Sequence, residues 1–276
     1  MWPLATGAAL AVLLALSGCD LPERVERGTD AGSTSAASQE PPTSTAPARS
    51  RLRTVTVTLD GAVLRIAARQ APVVTADEAA PGLQTVGLSL PPGGAARLAL
   101  LSPGALDVDT DGSITVLDGD GTPVAALGPP APPSGTEDAP RIEVTDTDAT
   151  HARVELDDRI RPAGSGAAGE PAGTEPLPIT FAVGTQAIDG ATWGENEGGR
   201  SLAVDPTDWA RYAGQAGLDL IRTQLVAAEP EADTSTMGDQ LVCHAVGAPD
   251  KSTWNLEPWR PDVGLILTAT AQCNPV

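Results

Sequence analysis

Aromatic side chains are nearly missing from this chain: five Trp, one Tyr and one Phe among 276 residues. A large core built on rings is therefore excluded. The 29 Gly and 26 Pro favour short strands and turns over long helices. Positive charge is scarce as well, with 17 Lys and Arg against 36 Asp and Glu, a formal charge of −19. Nucleic acid, which demands clustered cations, is excluded as a partner, and so is tight adsorption to anionic lipid. Two histidines, His151 and His244, one in each of the two expected folded regions, leave no pair for a zinc site. The apolar run Ala8 to Leu16 is too short to span a bilayer.

What that run does provide is an address. It ends in Leu16-Ser17-Gly18-Cys19, which resembles the lipobox of bacterial lipoproteins. The resemblance implies a signal peptide over 1–18 and a lipidated, palmitate-bearing Cys19 that anchors an extracytoplasmic protein to the cell membrane. No Lys or Arg precedes the run, so the true start is expected upstream of Met1. Residues 19–50, rich in Ser, Thr, Ala and Pro, read as a disordered tether. With Cys19 acylated, Cys243 and Cys273 remain as an even pair in an oxidising compartment, and a disulfide is expected.

The expected fold class is α+β, with an N-terminal all-β sheet or sandwich region over 51–160. A linker at 161–176 then leads to a small disulfide-stapled α+β domain at 177–276. Val55, Val57 and Leu59 alternate with threonines before the turn Asp60-Gly61, a hairpin signal. Short apolar runs follow up to Arg153–Leu156. Without any aromatic residue in this region, its core is expected to be Val, Leu, Ile and Ala only. Within it, Asp107, Asp109, Asp111, Gly112 and Asp118 fit the spacing of a calcium loop. The Ser102-Pro103-Gly104 segment forbids the helix such a loop needs, so paired turns at 110–112 and 118–121 are the stronger expectation.

From 177 onward lie Phe181, Trp193, Trp209, Tyr212, Trp254 and Trp259. A strand is expected at 179–183. Asp205-Pro206 should cap a short helix carrying Trp209, and Leu218, Ile221 and Leu225 place a helix over 216–228. A further helix should begin near Ser235 or Thr236, with Thr236 and Asp239 in capping-box spacing, and Leu265 to Ala271 should close as a strand. The segments Ala191-Thr192-Trp193-Gly194, Cys243-His244, Trp254-Asn255-Leu256-Glu257-Pro258-Trp259-Arg260-Pro261 and Cys273-Asn274-Pro275 resemble a C-terminal domain of unknown function found in secreted and lipidated actinobacterial proteins. That resemblance implies a location and brings no mechanism or cofactor.

Candidate chemistry concentrates in 240–264. Lys251, Arg200, Arg211 and Arg260, interleaved with Trp209, Trp254 and Trp259, suggest a surface for a cell-wall or carbohydrate ligand. Against it stands the reading of those tryptophans as core and of Arg260 as paired with Glu257 or a helix C-terminus. His244 and Glu257 are the candidate catalytic pair for an alternative function, hydrolysis of a peptidoglycan or glycan fragment. Adjacent on a helix, Cys243 and His244 point about 100° apart, which disfavours a thiol nucleophile with its neighbour as base.

Overall fold

The computed structural model describes residues 51–135, 140–157 and 175–276. It opens on the expected hairpin, β1 (Arg53–Leu59) and β2 (Ala62–Ala68), turning at Asp60-Gly61 with Gly61 at φ 73°. Then come β3 (Val73–Ala76), β4 (Leu83–Leu90), β5 (Ala95–Leu100), β6 (Ala105–Val108), β7 (Ile114–Leu117), β8 (Pro123–Leu127), β9 (Ile142–Asp148), β10 (His151–Leu156) and β11 (Leu177–Gly184). They form a five-stranded sheet, β1-β2-β5-β10-β9, and a six-stranded one, β3-β4-β11-β8-β7-β6.

The strand period explains the sandwich. Leu64, Ile66, Leu98, Leu156, Leu127 and Ile179 all point inward and are fully buried in one shared core. Composition alone places β11 with the C-terminal region. It pairs instead with β4 over eight residues and with β8, inside the six-stranded sheet. Phe181 on that strand gives the sandwich core an aromatic ring, correcting the expectation of a purely aliphatic one. Most of the expected linker, 161–176, lies outside the described residues, as do the signal peptide, the tether and Cys19.

A third sheet, β12-β13-β14, is built from β12 (Ile188–Asn196), β13 (Gly199–Pro206) and β14 (Trp254–Leu256). The turn Glu197-Gly198 joins the first two, with φ of 51° and 86°, the pattern of a tight primed turn. Helices α1 (Gly214–Ala228), α2 (Ser235–Gly247) and α3 (Leu265–Thr270) complete the chain. Their core holds Trp254, Leu220, Ile221 and Leu225 together with Ala126 from β8. All described residues belong to one compact unit. No helix among them is long and apolar enough to cross a membrane.

Three local expectations are corrected. Pro206 ends β13 rather than starting a helix, and only a 3-10 turn, Ala210–Tyr212, follows it. The cap of α2 is Thr234, whose hydroxyl accepts from the Met237 amide at 3.2 Å, two residues before the expected box. Residues 265–270 are helical, because their amides bond within the segment: Thr268 to Gly264 and Ala271 to Leu267, both at 3.0 Å.

Candidate functional site

The tryptophan-rich stretch is largely spent on its own fold. Arg260 is buried, and its Nε donates to Glu257 Oε2 at 2.8 Å, while its two other nitrogens reach Pro275 O and Glu197. Glu257, 1% exposed, also accepts from Asn196 Nδ2 at 3.0 Å, and its backbone is held on both sides by the Gln240 amide. Both charges are thus paired and hydrogen-bonded where their own side chains are buried. Trp259 lies half-exposed with the Arg260 guanidinium 4.6 Å from its ring centroid, and it packs on Gly199 so closely that a methyl there would overlap the indole.

Arg211 uses all five of its donors: Nε on Pro206 O, Nη1 on Pro249 O and Lys251 O, Nη2 on Asp205 and Ser252 O. It thereby clamps the loop after α2 onto β13. Trp254 is fully buried, 5.5 Å beneath that guanidinium. Arg200 stacks on Trp193 at 3.7 Å and pairs with Glu231.

His244 is 4% exposed and its Nε2 lies 3.0 Å from Asn255 O, with Nδ1 buried and unpartnered. Burial, then the nearby Lys251 charge, hold its pKa below the ordinary value. Glu257 is committed to Arg260 and does not hydrogen-bond to the imidazole. Cys243 and Cys273 form the expected disulfide, Cα–Cα 5.5 Å.

The aspartate-rich hairpin has a different task. Asp111 Oδ2 accepts from the Gln215 amide at 2.9 Å, and Ser113 Oγ accepts from the Ala216 amide at 3.1 Å. Helix α1 has no side-chain cap of its own, so these two groups satisfy its first free N–H groups from across the structure. Gly214 is required beside them: it sits at φ 72°, and a methyl there would overlap Asp111. Asp118 accepts from the amides of Asp120 and Thr122, closing its own turn. Asp107 lies on β6 beside Asp109 and Asp219 and contributes repulsion to both. Among the described residues, no group of three or more His, Cys, Asp or Glu is placed to hold a metal ion.

An open polar groove of about 680 Å³ lies elsewhere, walled by the β3–β4 loop, the 3-10 turn and the loop after α2. Asp77, Asp189, Asp205, Asp208 and Asp250 line it beside Trp209, Tyr212 and the cations Arg211 and Lys251. Tyr212 is 61% exposed and donates its hydroxyl proton to Asp250. Trp209 is fixed by donating to Gln186 O at 2.8 Å and by packing on Gly184, where any side chain would collide with the ring. Of the six candidate binding residues, only Arg211 and Lys251 line this groove. Trp209, read with the candidate cations, does line it; Tyr212 and the aspartates escaped the sequence reading, although the chain's single tyrosine following Asp205 and Asp208 was a usable signal.

Residues 188–276 match a family described as a protein of unknown function (DUF2599). The match begins at the first residue of β12, so it takes in the third sheet and all three helices and leaves out the sandwich. The uncharacterized proteins Mb0487 of Mycobacterium bovis and Rv0477 of Mycobacterium tuberculosis are each 36% identical over 96 residues, covering 32% of this chain. The chain spans 65% of the length of these relatives. No solved structure matches it. Within the matched segment lie the groove residues Asp189, Asp205, Asp208, Trp209, Arg211, Tyr212, Asp250 and Lys251, whereas Asp77, Leu83 and Gln186 lie before it.

Proposed function

We propose that this protein is an extracytoplasmic lipoprotein, anchored to the cell membrane through Cys19, whose C-terminal module binds a ligand rather than hydrolysing one. The observation that supports this reading is the polar groove, an open concavity within the size range of ligand sites, with an exposed tyrosine and five aspartates on its walls. Hydrolysis by His244 and Glu257 is disfavoured because both are buried, Glu257 is committed to Arg260, and the His244 Nε2 is committed to Asn255 O.

The groove chemistry selects the ligand class. With Asp205 and Arg211 paired to each other, four carboxylates against Lys251 favour a polar ligand carrying positive charge, with Tyr212 as its stacking face. A cell-wall fragment with free amines fits this description; an anionic glycan does not. The test is retention on purified envelope material by the variant Tyr212→Ala with Asp208→Asn, both exposed positions. At least a tenfold loss with unchanged circular dichroism is expected. Retention equal to that of the wild type rejects the groove as the site.

A further inference from the structure

Three of the large apolar side chains exposed on the described surface are consecutive: Leu265 at 42%, Ile266 at 82% and Leu267 at 56%. They make up half of α3, which α2 holds through buried Thr268 and the Cys243–Cys273 bridge. Val246, 79% exposed on α2, adds a fourth. Such a cluster is unfavourable in water unless something covers it. Between the two helices lies an open groove of about 500 Å³ lined by Val242, Val246, Leu265, Ala269 and the disulfide. Lys251, which also borders the polar groove, is the only charged residue along it and Gln272 the only other polar one.

That single charge identifies the occupant. Lys251 is the only lysine in a chain of charge −19. Among the described residues no carboxylate pairs with its ammonium. An apolar trough with one unpaired cation and no acid complements a molecule with an anionic head and a hydrocarbon body. We propose that this groove binds a free fatty carboxylate, its chain lying between α2 and α3 and its carboxylate paired with Lys251. Each methylene laid against Val242, Val246, Leu265 and Ala269 leaves water, and the head supplies the ion pair that Lys251 otherwise lacks.

The test is isothermal titration of the full, oxidised chain with sodium dodecanoate below its micellar concentration, beside dodecylammonium chloride. Bulk attraction to a chain of charge −19 would favour the ammonium, so a preference for the carboxylate reports on Lys251. Saturable one-to-one binding of dodecanoate is expected, at least tenfold tighter than the ammonium. It should weaken about tenfold in Lys251→Met, which keeps the apolar stem, and vanish in Val246→Asp, a substitution at an exposed site. The Tyr212→Ala, Asp208→Asn variant should bind dodecanoate unchanged, since Lys251 lines both grooves but those two residues line only the polar one. Equal affinity in Val246→Asp, stronger binding of the ammonium, or no saturable binding overturns the proposal. So does a dimer of the chain that Val246→Asp dissociates without any dodecanoate bound beforehand.

Discussion

Arg260 shows how a residue that looks like a binding cation from sequence becomes part of the interior. Its guanidinium joins Glu257, Glu197 and the Pro275 carbonyl, tying the loop after β14 to the β12–β13 turn and to the C-terminus. Removing one member of such a pair leaves the other as an uncompensated buried charge. Arg260→Met is therefore expected to cost about 3–5 kcal/mol in urea unfolding. The double variant with Glu257→Gln should recover much of that loss, because no lone carboxylate is left in the core. A single variant as stable as the wild type contradicts this account. The same stretch was legible as chemically dense, and core tryptophans and an Arg260–Glu257 pair were readable in it, but the sequence alone did not separate the buried side chains from the exposed ones. Scarce residue types advertise importance, and only the fold distinguishes a clamp such as Arg211, with five donors engaged, from a residue facing solvent such as Tyr212.

Helix α1 depends on a hairpin about a hundred residues before it. Asp111→Ala removes the acceptor for the Gln215 amide and should cost about 1–2 kcal/mol, the usual range for a lost cap. Next to it, Asp109 carries an opposing electrostatic cost. Burial, and then repulsion from Asp219, Asp107 and Asp111, outweigh the Ser113 bond and raise its pKa from 3.8 to about 6. Between those values the folded chain holds the proton more tightly than the unfolded one, so this group's contribution to stability rises as pH falls from about 6 toward 3.8. Asp111 has the opposite sign: hydrogen bonds from Ser113 and the Gln215 amide outweigh burial and lower its pKa, so its contribution is lost as pH falls below 3.8. Asp109→Asn should raise the melting temperature at pH 7 by about 2 °C after solvent screening, and the gain should disappear at pH 4. A gain that persists at pH 4 rules out the charge as its cause. The turns of this hairpin were readable from Asp and Gly positions, since turn chemistry is local. Its partner was not, because sequence periodicity carries no information about amides 104 residues away. Strands β12 and β13 were missed for a related reason: their Gly and Trp positions blur the two-residue period that made β1 and β2 plain.

At the scale of the molecule, the sandwich and the segment from 188 onward share more than a chain connection. Helix α1 packs on β7 and β8, Ala126 belongs to the second core, and Asp111 and Ser113 cap α1 from the sandwich side. Composition drew a boundary near 177 because every aromatic after residue 50 lies beyond it, yet β11 hydrogen-bonds back into the six-stranded sheet. These ties predict one cooperative unfolding transition. The probes separate naturally: Trp193, Trp209, Trp254 and Trp259 all report from the C-terminal segment, whereas most strand circular dichroism comes from the sandwich. Their urea midpoints should coincide. Reducing the Cys243–Cys273 bridge, which spans 30 positions, should lower both midpoints together by the equivalent of about 3–4 kcal/mol. If tryptophan fluorescence shifts alone while the strand signal holds its midpoint, the sandwich and the module fold independently, and the α1 cap is a docking contact rather than part of one core.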